Sequence, residues 1–165
     1  MSIDAEAMRH IMRLWATGVT VVTTASGERR HGLTVSSFTS VSVEPALILV
    51  CLHKGVEALD IIDESGAFAV SLLSEDQARL SNQFAGVGDL PEGADRFHGV
   101  AITTAETGVP ILADAIAWMD CTVHAVHDGG TNMIVVGEVV AADRKADAEA
   151  LPLIYFNRGY RALKL

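Results

Sequence analysis

A closed antiparallel β-barrel carrying a few short helices is the fold class this sequence predicts, on three observations. Runs rich in Val, Ile and Thr recur along all 165 residues, separated by glycine- and charge-rich turns. Helical spacings are few and do not alternate strictly with the strand-like runs, which disfavours a doubly wound parallel sheet. Hydrophobic residues make up 50% of the chain, enough for one core. No repeat, low-complexity segment or linker divides it, so residues 1–165 are expected to form a single domain.

The chain opens with "DAEAMRHIMRLWA", in which Met8, Ile11, Met12 and Trp15 fall on one helical face. "GVTVVTTA" and "GLTVSSFTSVSV" follow as antiparallel strands around the turn "SGERRHG", residues 32–43 reading as one strand. After Pro45, "ALILVCL" is a strand apolar on both faces. "VEALDIIDES" suits a helix ended by Gly66, "AFAVSLL" a strand, and "EDQARLSNQFAG" a helix stopped by glycine. Glycines, Pro91 and charges between Gly86 and Gly99 predict a surface loop. "GVAITTAE", "AIAWMDCTVHAV", "NMIVVGEVVAA" and "LPLIYF" complete about seven strands. "DGG" at 128–130 turns a hairpin, placing Thr131 and Asn132 beside its tip.

Composition narrows the function. Twelve Lys and Arg against 21 Asp and Glu give a net charge of −9, which repels a phosphate backbone, so nucleic acid is not an expected partner. The start lacks a basic and then apolar leader, and no apolar run approaches the roughly 20 residues a membrane span needs. A soluble, cytoplasmic protein is expected. Cys51 and Cys121 form no C-x-x-C pair and read as buried, inert thiols. His124 and His127, three apart on a strand, face opposite sides and cannot converge on one ion, so no metal site is expected. "GVGDLPEG" matches neither a dinucleotide fingerprint nor a P-loop.

Residues 31–62 are the most suggestive for chemistry. Thr34, Ser36, Thr39, Ser40 and Ser42 crowd hydroxyls onto what reads as one strand, more than a buried face normally needs. "CLHKG" then joins a buried strand to a helix, where free backbone N–H groups, the positive helix end, His53 and Lys54 meet an anion. A cradle for a polar ring with a phosphate tail is one reading; a solvent-facing strand and an ordinary loop is the other. The residues alone do not choose.

The chain resembles the short-chain flavin reductases, the reductase components of two-component monooxygenases such as those hydroxylating hydroxyphenylacetate and phenol. The likeness runs through "ATGVTVVTT", "GLTVSSFTSVSVEP", "LVCLHK", "SGAFAVSLLSEDQARLSNQFAG", "DRF", "GVPIL", "AWMDCTVHAVHDGG" and "PLIYFNRGYRAL", in order over nearly the whole length. The resemblance implies a split β-barrel of the FMN-binding type with Greek-key antiparallel strands, usually a homodimer with flavin near the interface. It also implies a reaction: NADH or NADPH reduces FMN or FAD, and the reduced flavin passes to a partner monooxygenase. Carried over by position, Leu33, Thr34, Val35, Ser36 and Ser37 would face the isoalloxazine. Cys51, Leu52, His53 and Lys54 would approach the ribityl and phosphate, and Phe84, Ala85 and Gly86 would close over the cofactor. Such a site needs preorganised donors for the electron density that reduction places on the ring, and a nicotinamide stacked at about 3–3.5 Å.

Departures from the family pattern sharpen the reading. The resembling reductases usually carry a His after the hairpin turn, near nicotinamide or flavin; here Asn132 stands there, able to donate and accept but not to gain a charge. Asn132 is therefore both the catalytic candidate and, with Tyr155, Asn157 and Arg158, a nicotinamide-contact candidate. For the last three, a chain end packing on its dimer mate is the competing reading. Val56 and Ala58 replace the usual Ser and Thr of the anion loop, which implies weaker flavin retention. Ser71 replaces an Asn and is read as structural. The rival functions are a flavin- or small-ligand-binding dimer without efficient turnover, and an enzyme resembling pyridoxamine-phosphate oxidase on a related barrel.

Overall fold

Two edge strands joined by two residues close the main sheet. The computed structural model describes residues 2–145 and 150–164. In chain order the elements are α1 (Ala5–Met12), β1 (Thr17–Gly18), β2 (Thr20–Ser26), β3 (Arg29–Val35), β4 (Phe38–Ser42), β5 (Leu47–His53), α2 (Glu57–Ser65) and β6 (Ala67–Leu72). They continue with α3 (Ala78–Phe84), β7 (Ile102–Thr103), β8 (Ile111–Leu112), β9 (Ala117–Gly129), β10 (Asn132–Arg144), β11 (Ile154–Phe156) and β12 (Gly159–Arg161). The seven-stranded sheet has the order β3-β2-β6-β9-β10-β5-β4, antiparallel at every pairing. β3 and β4 lie at its opposite edges, so Ser36 and Ser37 carry the chain across the gap between them.

This crossing corrects the expectation of one strand over 32–43. Val35 pairs with Thr20, whereas Phe38 pairs with Val50, on the far edge. Thr34 and the hydroxyls of Thr39, Ser40 and Ser42 therefore belong to different strands. Other expected strands are trimmed: "GVAITTAE" keeps two residues as β7, and "LPLIYF" keeps three as β11. β12 is an addition. It returns from β11 through Asn157 (φ 46°) and Arg158 (φ 62°), the left-handed pair that a two-residue hairpin turn demands. Between Gly86 and Gly99 the loop is not wholly at the surface, because Phe97 is buried.

Side chains of β2 alternate between two cores. Val22 joins Val50, Leu52, Phe68, Val70 and Val135 inside the barrel. Val21 points the other way, to Phe84, Phe97, Leu112 and Leu153 beneath α3 and the C-terminal strands. That double coverage makes β2 and β6 almost wholly buried. A Cβ on Gly137 would come within 2.5 Å of the Phe68 ring, so glycine there lets the aromatic fill the barrel.

Asp4 caps α1 by accepting from the Ala7 N–H at 2.7 Å. Its apolar face is not buried in this chain: Met8, Ile11 and Met12 are exposed, and Trp15, expected on the same helical face, is also exposed but lies beyond the helix, which ends at Met12. α2 behaves as the spacing predicts, burying Ala58, Ile61 and Ile62 and ending at Gly66 with φ 66°. Ser71 is buried and its Oγ accepts from the Leu112 N–H at 3.2 Å, the structural role expected. Cys121 is buried, whereas Cys51 is half-buried rather than fully enclosed. No helix among the described residues is long and apolar enough to cross a membrane.

Candidate functional site

The crossing at Ser36–Ser37 is where the candidate residues meet. The Cys51 N–H donates to the Ser37 carbonyl at 3.0 Å, and Ser37 Oγ donates to the Cys51 carbonyl at 2.8 Å. These bonds lock the crossing onto β5. Because β3 pairs only with β2, alternate backbone groups along Leu33–Val35 point away from the ladder, available to a ligand edge.

On one side of the crossing lies a cavity of about 350 Å³ lined by Thr34, Ser36, Ala85, Tyr155 and Arg158, together with Tyr160. Thr34 Oγ1 donates to the Ser81 carbonyl at 2.6 Å, so this hydroxyl fastens α3 to β3. The Tyr160 hydroxyl, 2.8 Å from Ser81 Oγ and 2.9 Å from Asn82 Oδ1, holds the same helix from the other side. Tyr155 and Tyr160 stack edge to face at 5.8 Å. An adjoining apolar cavity of about 270 Å³ shares Ser36 and adds Trp15 and Phe38. The nearby Thr17 hydroxyl is buried without a hydrogen-bond partner among the described residues.

On the other side, β5 leads to the anion loop. Cys51 and His53 alternate outward while Leu52 is fully buried, so Leu52 reaches a ligand only through its backbone. Asn132 is paired with His53 in the β10–β5 ladder. The Lys54 N–H donates to the Thr131 carbonyl at 3.0 Å, and Lys54 Nζ lies 2.7 Å from Asp128 Oδ2. Asp128 Oδ1 accepts from the Gly130 N–H at 2.8 Å. The Lys54 hydrogen bond first, and the Gly130 N–H second, hold the Asp128 carboxyl below its usual range. Val56 caps α2 without a side-chain hydrogen bond; its carbonyl accepts from the Leu59 N–H at 3.1 Å, which leaves the Glu57 and Ala58 N–H groups free among the described residues. Ala58 is fully buried, so a hydroxyl at that position would point into the core.

The closing segment is held differently from the way its sequence suggests. Phe84 is fully buried and packs edge to face on Phe97 at 5.1 Å, so its ring cannot cover a cofactor; Ala85 and Gly86 are exposed. Arg96 Nη1 donates to the Gly32 carbonyl at 3.0 Å and to the Phe84 carbonyl at 2.9 Å, tying the end of α3 to β3. Beside it, His31 lies 3.5 Å from Glu57, with its pKa lowered by burial first and by the Arg96 charge second.

The expected site residues thus fall into two groups that share Ser36–Ser37. Thr34 and Ser36 line the cavity with Ala85, Tyr155 and Arg158, whereas Leu33 and Val35 point the other way and pack into the barrel core, so their side chains do not face it. Ser37, Cys51, Leu52, His53, Lys54 and Asn132 form the strip beyond. The four nicotinamide candidates are divided: Asn132 lies with Lys54, while Tyr155 and Arg158 lie across the crossing and Asn157 occupies the hairpin turn. Asp128, Arg96 and Tyr160 went unread, because each acts through a partner at least 12 residues away.

Edge-strand backbone donors, serine hydroxyls and a lysine at the far end of one strip suit an aromatic, uracil-like ring with an anionic tail. The family model described as Flavin reductase like domain matches residues 12–164. The chain belongs to this flavin reductase-like family. The reductase component of 4-hydroxyphenylacetate 3-monooxygenase from Thermus thermophilus is 36% identical over 96% of each chain. An NADH-dependent FAD reductase from Streptomyces globisporus is 37% identical over 86% of this chain and 77% of its own. Among solved structures, the flavin reductase PheA2 superposes with a TM-score of 0.88 at 34% identity, covering 99% of this chain and all of its own. The flavin reductase-like fold expected from the sequence, mainly β and antiparallel with short helices, is borne out.

Proposed function

We propose that this chain is an NAD(P)H:flavin oxidoreductase that reduces FMN or FAD and releases the reduced flavin to a separate monooxygenase component. The observation carrying this reading is the family match over residues 12–164, which includes both halves of the strip on either side of Ser36–Ser37. Relatives named as monooxygenase reductase components, and one named as an NADH-dependent FAD reductase, support the reaction class and the partner.

Bound along the strip, flavin supplies the two-electron acceptor. The chain's residues then have separate tasks. Backbone groups of Leu33, Thr34 and Val35, with Ser36 and Ser37, hold the ring edge where charge develops. Cys51, His53 and Lys54 hold the tail, and the fixed ends of α3 at Ala85 and Gly86 limit water beside the ring. Asn132 orients an amide without moving a proton, and Tyr155, Asn157 and Arg158 take the donor. Lys54 shares its charge with Asp128, which keeps the grip modest, as release of the product requires.

A homodimer completes the reading. Met8, Ile11 and Met12 form an exposed apolar face on α1, with exposed Trp15 just beyond its end, and burying them against a second copy accounts for an amphipathic helix with no core of its own. The whole chain acts as one domain and works in the cytoplasm. Mixing the pure protein with NADH or NADPH and free FMN or FAD, and following the loss of reduced-nicotinamide absorbance, tests the activity. A flavin-dependent rate well above the protein-free control is expected. No such rate with either donor would leave a ligand-binding dimer as the better account.

A further inference from the structure

Lys54 does not by itself make the tail end of the strip positive. Its Nζ is paired with Asp128 at 2.7 Å, and the first turn of α2 adds the carboxylates of Glu57 and Asp60. His53 aside, one lysine faces three carboxylates there. A phosphate monoester near pH 7 carries a charge of about −1.5 to −2, so it would enter against repulsion. Glu57 is the sharpest competitor: as the first residue of α2 it is drawn to the same partial positive charge and the same free N–H groups that would receive the phosphate.

β3 supplies what counters it. Arg29 Nη2 lies 3.5 Å from Glu57 Oε1, and His31 Nδ1 lies 3.5 Å from Glu57 Oε2, so both oxygens are turned toward β3. The same guanidinium holds Glu64 Oε1 at 2.7 Å, near the far end of the helix. That bond, with the burial of Ala58, Ile61 and Ile62, already docks α2 on the sheet. Arg29 and Glu57 are both well exposed, so their contact adds little to stability. Its effect is to set where one negative charge sits.

We infer that Arg29, with His31 beside it, is a positioning residue for the flavin phosphate: it draws the Glu57 carboxylate onto β3 and offsets its charge, which leaves the Glu57 and Ala58 N–H groups open to the phosphate. The inference rests on the reductase reading, which runs the flavin tail along Cys51–Lys54 to this helix start. Arg29 itself need not touch the flavin.

Fluorescence titration of the full chain with FMN and with riboflavin, at low ionic strength, tests this without turnover. Riboflavin carries the same ring and ribityl chain but no phosphate. Arg29→Ala should weaken FMN about threefold and leave riboflavin unchanged, and Arg29→Lys should recover part of the loss. Glu57→Gln should tighten FMN about threefold, again without effect on riboflavin. The decisive variant combines Arg29→Ala with Glu57→Gln: with no carboxylate left to restrain, it should bind FMN at least as tightly as wild type. The inference is overturned if Arg29→Ala or Glu57→Gln leaves FMN affinity within about 1.5-fold, if riboflavin shifts in parallel with FMN, or if the double variant stays as weak as Arg29→Ala. A parallel shift would mark Arg29 as a helix-docking residue, and an unrescued double variant as a direct phosphate ligand. If wild type binds neither flavin, the reductase reading falls and takes this inference with it; if it binds both and the variants do not respond as stated, only the inference falls.

Discussion

Lys54 Nζ sits 2.7 Å from Asp128 Oδ2, so the cation expected to anchor the flavin tail carries its own counterion from the tip of the β9–β10 hairpin. Both side chains are well exposed, so the pair adds little stability and acts chiefly by competing with an incoming phosphate. Asp128→Asn should tighten FMN binding several-fold. Lys54→Ala should weaken it by about tenfold or more, as loss of a bond to a charged group does. Fluorescence titration at two salt concentrations checks both, and the Lys54→Ala protein should show the shallower salt dependence.

Asn132 is half-buried opposite His53, one residue from the Thr131 carbonyl that receives the Lys54 N–H. Asn132→His adds a group that gains charge near neutral pH at this position. The variant should show a donor kcat/KM that rises as pH falls through the ordinary histidine range, with wild type lacking that component. Identical profiles and identical flavin affinity would remove Asn132 from the site.

Arg96 has no ligand role in this account, yet the ring side of the site depends on it. Its two bonds, to the Gly32 and Phe84 carbonyls, fix α3 against β3. Arg96→Ala leaves both acceptors short of a partner and should cost about 1–3 kcal/mol of stability. Denaturant unfolding measures that loss, and a higher KM for flavin should accompany it, because Ala85 and Gly86 follow Phe84 directly.

His31 gives stability a pH dependence of definite sign. Burial first, and the Arg96 charge second, lower its pKa below the ordinary 6.5, against the opposing pull of Glu57. Below 6.5 the unfolded chain therefore binds this proton more readily than the folded one. The His31 contribution is fully present above 6.5 and is lost as pH falls through the lowered value. Tm should decline between about pH 7 and 5, and His31→Gln should flatten that decline. Asp95 and Asp128, both held below 3.8, act only in more acidic solution and should not affect this window.

Local chemistry was legible in the sequence, and long-range pairing was not. Gly66 ends α2 as expected because its left-handed φ is a property of one residue. The hairpin at Gly130 follows from turn chemistry, whereas "ALILVCL", apolar at every position, reveals a strand but not that Val50 and Leu52 face the core while Cys51 and His53 alternate outward. The break at Ser36–Ser37 left one local trace: the apolar alternation of Leu33 and Val35 skips a beat before Phe38. Hydroxyl-rich sequence on both sides hides that skip. Nothing local could reveal that β3 and β4 end at opposite edges, that Asp128 meets Lys54, or that Arg96 reaches Gly32. The α1 face is visible as a helix, but no contact among the described residues covers it.

The structure of the protein soaked with FMN or FAD tests the central claim most directly. The account predicts an isoalloxazine against Thr34–Ser37 with its phosphate in hydrogen-bonding contact with Lys54 or the free N–H groups at the start of α2. A flavin seated elsewhere, or a strip closed by the protein's own side chains under saturating flavin, would contradict it.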